Sequence, residues 1–236
     1  MNLTQPFVPL FAIASLALSG IASAQTPAPK KADQVAADAD GFVPMFNGTD
    51  MTGWTLPEPV VLWRANPKTG ELQRKGGGGY LWSKKAYGDF VIELEFKMSP
   101  GCNSGIFVRT NPADPVQGGF EIQILDTAAK GDSAGKTDAG ALYDASKPMV
   151  NAVKPANQWN KIRIEWIGPK LKVTLNGKVV QDLDIDDWDT ASKNPDGTDN
   201  KFKTALKDLP RAGHIGFQDH GHNVSFRNIR IKEVTR

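Results

Sequence analysis

The chain has 236 residues and a formal net charge of +2, with basic and acidic side chains interspersed along its length. That balance lacks the clustered basic footprint of a nucleic-acid binder and argues against nucleic acid as a partner. The lone cysteine, Cys102, leaves no intramolecular disulfide; with no activating base near it in sequence, it reads as a small packing residue beside a turn.

Residues 1–24 read as a targeting segment. Phe7 to Leu18 is mostly apolar, and Ala22-Ser23-Ala24 has the small-x-small pattern of a signal-peptidase site. The run contains Pro9 and falls short of the about 20 residues that span a bilayer. No Cys sits at the cleavage point to carry a lipid. The expectation is a chain cleaved near Ala24 that is periplasmic or secreted, without a membrane anchor. Residues 25–40 are Ala, Asp, Lys and Pro with almost no large apolar side chain. Such a segment cannot offset its ordering entropy by burial and reads as a flexible linker. Residues 41–236 then form one domain with its own core.

Strand patterns fill that domain. Asn47-Gly48 marks an early turn, Trp54 follows as an apolar anchor, and the glycines at 76–79 precede Tyr80-Leu81-Trp82. Phe90, Ile92, Leu94 and Phe96 alternate with Glu93, Glu95 and Lys97, which predicts a buried face and a solvated one. In the stretch after Cys102, Ile106 and Val108 share one face, while Phe107 and Arg109 share the other. In the next strand Phe120, Ile122 and Ile124 oppose Glu121 and Gln123. A carboxylate, a carboxamide and a guanidinium are thereby predicted on one sheet surface. Residues 126–159 lose regular pattern around the island Ala141-Leu142-Tyr143, the mark of a functional or packed surface loop. Ile162, Ile164 and Trp166 alternate again, and Leu171, Val173 and Leu175 lead into Asn176-Gly177, a hairpin signal. Residues 182–208 are polar, with a short helix predicted around Phe202 to Leu206. In the last strand the apolar parity switches between Phe226 and Ile229, which predicts a β-bulge at Arg227-Asn228. Many short strands joined by turns mean an all-β sandwich or jelly roll.

Four motifs in order carry a family resemblance. They are the stretch from Pro44 to Trp54, Asn103-Ser104-Gly105-Ile106-Phe107-Val108-Arg109, Phe120-Glu121-Ile122-Gln123-Ile124-Leu125-Asp126, and the pair Gly213 to Gly221 and Val224 to Ile229. Together the chain resembles the 3-keto-disaccharide hydrolases, also described as 3-keto-glucoside 1,2-lyase/3-keto-2-hydroxy-glucal hydratase domains. The resemblance spans residues 41–234. It implies a concanavalin-like jelly roll of two antiparallel sheets, a concave sugar-binding face and a small-molecule sugar substrate.

The residues suit that chemistry. A ketone at C3 of a sugar acidifies the hydrogen on C2; a base removes it and the oxygen on C1 leaves. The reaction needs a base, an acid at the leaving oxygen and a group that steadies the enolate. Glu121, His220 and Asp126 are the catalytic candidates. Burial by the glycine-rich loop and Tyr143 would raise the Glu121 pKa into the range of a useful base, and a histidine ring changes charge near neutrality. Which of Glu121 and His220 is base and which is acid stays open. Arg109, Gln123, Tyr143, Asp219 and Arg227 are the substrate-binding candidates. Each has a bland alternative: an inter-strand ion pair for Glu121 with Arg109, a turn cap for Asp126, a structural hydrogen bond for His220 and a carboxylate partner for Arg227. A divalent metal on His220, His222, Glu121, Asp126 or Asp219 is conceivable, but none is assigned. A non-catalytic, lectin-like module is the competing function, because one architecture hosts both.

Overall fold

The computed structural model describes Met1 and residues 37–56, 63–74 and 79–235. Apart from Met1, the targeting segment lies outside the described residues, as do most of the linker and the glycines at 76–78. Two antiparallel sheets form a concanavalin-like jelly-roll sandwich. The larger runs β11 (Lys178–Asp184), β10 (Lys170–Leu175), β9 (Asn160–Ile167), β6 (Phe90–Met98), β13 (Val224–Glu233), β4 (Glu71–Arg74) and β3 (Trp63–Asn66), with β1 (Val43–Pro44) beside β13. The smaller runs β2 (Trp54–Thr55), β5 (Leu81–Tyr87), β12 (Gly213–Phe217), β7 (Asn103–Thr110) and β8 (Phe120–Leu125).

Alternation decides what lies between the sheets. Ile92, Leu94, Phe96, Ile162, Ile164 and Trp166 from the larger sheet join Ile106, Val108, Phe120, Ile122 and Ile124 from the smaller one in a single core. Each such side chain contributes about 1.5–3 kcal/mol on burial. Phe217 stacks on Phe226 at 4.0 Å and on Trp54 at 5.3 Å, linking β12 to β13 across the interior.

Local turn chemistry fixes the register. Asn176 and Gly177 both take positive φ, 50° and 82°, and close the β10–β11 hairpin at Leu175 and Lys178. The pairing of β13 with β6 shifts between Arg227 and Arg230, and Asn228 sits at φ 53°. That bulge lets Phe226 and Ile229 both face inward despite their odd spacing. The short helix predicted around Phe202 to Leu206 does not form; a single 3-10 turn covers Leu206–Asp208. The Phe202 N–H donates to Asn200 Oδ1 and its carbonyl accepts from Ser192 N–H, so neither group is left for a helix. The face of β6 expected to be solvated is laced with ions. Glu93 accepts from Arg163 and Arg230, and Glu95 from Arg227 and Asn228. Asp38, inside the predicted linker, accepts from Phe42 N–H and pairs with Arg230 at 2.7 Å, so the contacts of the domain begin before Gly41.

Candidate active site

The register of the smaller sheet lines up one row of side chains on its outer face. Trp82 on β5 pairs with Gly216 on β12, Gly216 with Phe107 on β7, and Phe107 with Glu121 on β8. Gly216 is required there: a Cβ at that position would meet Trp82 Cζ3 at 2.5 Å. The Trp82 ring instead lies over the glycine and packs on Phe107 at 5.1 Å, and Tyr80 closes the group at 5.2 Å from Phe107. An aromatic floor thus ends at a carboxylate.

Glu121 is 5 % exposed. Its side chain lies over Gly105 on the neighbouring strand, where a Cβ would stand 2.8 Å from Glu121 Cγ and 2.7 Å from Cδ. Gly105 is therefore the cradle of the carboxylate. Gln123, one pair along, lies 3.1 Å from the Asn103 side chain. With the Gln123 and Asn103 amides turned together, so that the Asn103 NH2 donates to Gln123 Oε1, the Gln123 NH2 donates to Ser104 O at 3.1 Å and to Glu121 Oε1 at 3.2 Å.

Two loops complete the pocket. Residues 140–143 run along the free side of β8: Gln123 N–H donates to Ala141 O, Gly140 N–H to Gln123 O, and Tyr143 N–H to Glu121 O. This places Tyr143 beside Glu121. The 182–208 loop brings Lys201, whose Nζ lies 4.5 Å from the centre of the Tyr143 ring. Lys136 holds the two loops together through an ion pair with Asp144 at 3.0 Å and a hydrogen bond to Asp199 O. The enclosed space is about 240 Å³, walled by Tyr80, Phe107, Glu121, Tyr143 and Lys201 with Val116 and His220 at its edge.

Burial pushes the Glu121 carboxyl up to about 7, against a smaller opposing pull from the Lys201 charge. Burial likewise holds the Lys201 amine below the usual lysine range, while Glu121 and Asp144 act in the other direction. The phenols of Tyr80 and Tyr143 are both raised, first by burial and then by the Glu121 charge. A carboxyl pushed up toward neutrality, an amine and two neutral phenols thus face one small cavity. Four larger clefts exist among the described residues: about 740 Å³ around residues 186–197, where the carboxylates are exposed, about 280 Å³ around Thr110 and His214, with no carboxylate, and two others. Of these two, the first is about 530 Å³ on the outer face of the larger sheet and the second about 680 Å³ among residues 132–151 and 188–198. The carboxylates of the first are tied to arginines and those of the second are exposed, so neither offers a comparable acid–base group.

Of the predicted residues, Glu121, Gln123, Tyr143 and His220 share the cavity, with His220 exposed at the rim. Four others stand elsewhere. Arg109 is the main correction. The pairing of β7 with β12 shifts between His214 and Gly216, and Arg109 adopts φ 48°, which reverses its side chain relative to strict alternation. It points inward, pairs with Asp89 at 2.8 Å, donates to Gly88 O and Gly168 O, and lies over Trp166. Asp126 caps a turn by accepting from Gly101 N–H at 2.9 Å. Asp219 is buried against Arg74 at 2.5 Å and accepts from Gly221 N–H, which fixes the turn carrying His220. Arg227 lies on the other sheet, bound to Glu95 and stacked on Trp159 at 3.9 Å. Cys102 is buried, with its thiol pushed up to about 12 by burial. His222 accepts from Asn103 N–H through Nδ1. Among the described residues, no three His, Cys, Asp or Glu side chains converge in a way that could hold a metal ion.

Sequence reasoning missed Lys201, Tyr80 and the role of Gly105. Lys201 sits in a loop without periodicity, so no pattern singles it out. Gly105 had a usable signal: a glycine in mid-strand marks the close approach of another group.

The fold and site together define a jelly roll that carries a buried carboxyl in a pocket on the outer face of its smaller sheet. Comparison narrows this. Residues 41–232 match the model of the 3-keto-alpha-glucoside-1,2-lyase-like domain, and the chain belongs to that family. It is 27 % identical over 235 residues to the 3-keto-disaccharide hydrolase of Bacteroides thetaiotaomicron, covering 84 % of this chain and 80 % of that one. A solved structure described as a candidate glycosyl hydrolase from Parabacteroides distasonis is 30 % identical with a TM-score of 0.73, covering 82 % of this chain and 99 % of that one. A second from the same organism, 22 % identical with a TM-score of 0.68, shares the fold, over 86 % of this chain and 99 % of that one.

Proposed function

We propose that this chain is an exported enzyme that cleaves 3-keto-glycosides by removing the C2 proton and expelling the oxygen on C1. Family membership and the similarity to the Bacteroides 3-keto-disaccharide hydrolase support the substrate class. The observation that carries the mechanism is Glu121: a buried carboxyl, seated on Gly105, with its pKa raised to about 7. A base with that affinity is available in its ionised form near neutral pH and strong enough to take a proton from carbon next to a ketone. The aromatic floor of Tyr80 and Phe107 offers one sugar face a stacking surface. Lys201 supplies positive charge where negative charge grows on the C3 oxygen. His220, at the open edge, protonates the departing oxygen, after which water adds to the enone or the enone is released.

Incubation with a 3-keto-glucoside tests this directly. Enone absorbance or hydrated product should appear together with free aglycone. Binding without turnover would instead identify a lectin-like module. Export is part of the same proposal and rests on the apolar run and Ala22-Ser23-Ala24. The product recovered from the periplasm or medium should begin near Gln25, and an intact Met1 end on that product would overturn it.

A further inference from the structure

Lys201 is more unusual than an electrostatic partner needs to be. It is partly buried, yet among the described residues its Nζ has no hydrogen bond and no ion pair within 4.0 Å, only the rings of Tyr143 at 4.5 Å and Phe202 at 5.1 Å. Every other charge nearby is accounted for differently. Asp144 is taken by Lys136 at 3.0 Å, and the Tyr80 and Tyr143 phenols face the same cavity. Glu121 presents the remaining carboxyl, which among the described residues is in no ion pair and accepts only from the Gln123 amide. The lysine is anchored from behind. Its carbonyl accepts from Gln117 Nε2 at 2.9 Å, and the same Gln117 accepts through Oε1 from Lys203 N–H at 2.9 Å. The backbone is fixed and the amine faces the cavity. A lysine kept out of ion pairs in a pocket that takes a ketone is placed for covalent chemistry.

We propose that Lys201 adds through Nζ to the C3 carbonyl of the substrate and forms an iminium ion, which then acts as the electron sink for proton removal by Glu121. This deepens the function proposed above and rests on it; the iminium nitrogen, rather than a free ammonium, then supplies the positive charge at C3. The neutral amine attacks C3, and the carbinolamine loses its oxygen as water to leave C3 doubly bonded to a positively charged nitrogen. Glu121 takes the proton from C2, and the electron pair forms the C2–C3 double bond of a neutral enamine. The nitrogen then pushes its pair back, the C1–C2 double bond forms and the C1 oxygen leaves with a proton from His220 or solvent. Water attacks C3 of the unsaturated iminium, restoring the ketone on the product and the amine on Lys201. No oxidant or reductant is consumed. Burial of the amine, which favours its neutral form, is consistent with the first step.

Sodium cyanoborohydride added during turnover of a 3-keto-glucoside reduces an iminium to a stable secondary amine. The expected result is progressive loss of activity, with one sugar-derived adduct per chain mapped by peptide mass spectrometry to Lys201. Lys201→Arg keeps the positive charge but cannot complete the cycle, so its kcat should fall by at least about 100-fold in a protein that melts like the wild type. Wild type that turns over normally while Lys201 stays unlabelled would overturn the proposal and leave the 3-keto-glycoside reading standing. So would Lys201→Arg retaining activity within a few-fold. Wild type that neither turns over nor acquires label would bring down both readings.

Discussion

Replacing Glu121 by Gln should remove activity and, above neutral pH, stabilise the fold. Gln preserves the shape that rests on Gly105 but cannot accept a proton from carbon, so kcat should fall by about 100- to 10,000-fold. The stability effect follows from the same burial. In the unfolded chain the carboxyl has its ordinary value of 4.5, and in the fold it is pushed up to about 7. Below the first value both states are protonated. Between the two, the fold holds a proton that the unfolded chain has lost, so stability declines as pH rises through this window and is flat above it. At about 1.36 kcal/mol per pH unit, ionised Glu121 costs the fold about 3 kcal/mol at pH 8.5. For a domain of this size that is roughly 6–12 °C in melting temperature. Thermal melts of wild type and Glu121→Gln at pH 5 and pH 8.5 provide the assay. The variant should gain on wild type by that amount between the two pH values. An offset that does not change with pH would refute the argument, because it would mean that Glu121 is not held in a desolvating site.

Gly105→Ala should leave a folded protein, at a cost of about 1–3 kcal/mol for the overpacked Cβ, but displace Glu121 and lower kcat by about 100-fold; steady-state kinetics with a melt as control will show it. Arg109→Ala should leave its Asp89 partner and several carbonyls uncompensated and cost about 3–5 kcal/mol in denaturant unfolding, whereas a residue that only touched substrate would change KM and spare stability. His220→Asn should lower kcat by about 100-fold with an aglycone that leaves poorly, and the loss should shrink with a nitrophenyl aglycone that needs no proton. In wild type, kcat/KM should rise with pH through about 7 as Glu121 ionises, then level off, measured with the same substrate.

Period-two alternation carried the fold and half of the site. It placed Phe120, Ile122 and Ile124 in the core and turned Glu121 and Gln123 to the outer face, as the structure shows. It failed at Arg109 because alternation assumes an unbroken ladder. One residue at φ 48° was enough to send the guanidinium to the opposite side of the sheet. The bulge at Asn228 was legible because two large apolar residues flank it out of phase; beside Arg109 only polar Thr110 follows, so no phase break shows. Lys201 and Tyr80 were hidden for another reason. Each lies outside a strand, and their approach to Glu121 depends on contacts between segments far apart in sequence, such as Lys136 with Asp199 O for Lys201 and Phe107 for Tyr80.

The backbone run of residues 140–143 along β8 has a consequence beyond the site it helps to build. β8 ends its sheet, and a terminal strand offers its free N–H and C=O groups to any other chain in extended form. Here those groups at Glu121 and Gln123 are occupied by the chain's own Gly140, Ala141 and Tyr143. The same short segment therefore guards against self-association and supplies a wall of the pocket. Variants that loosen it should aggregate and lose turnover together, with the two losses tracking each other from one substitution to the next.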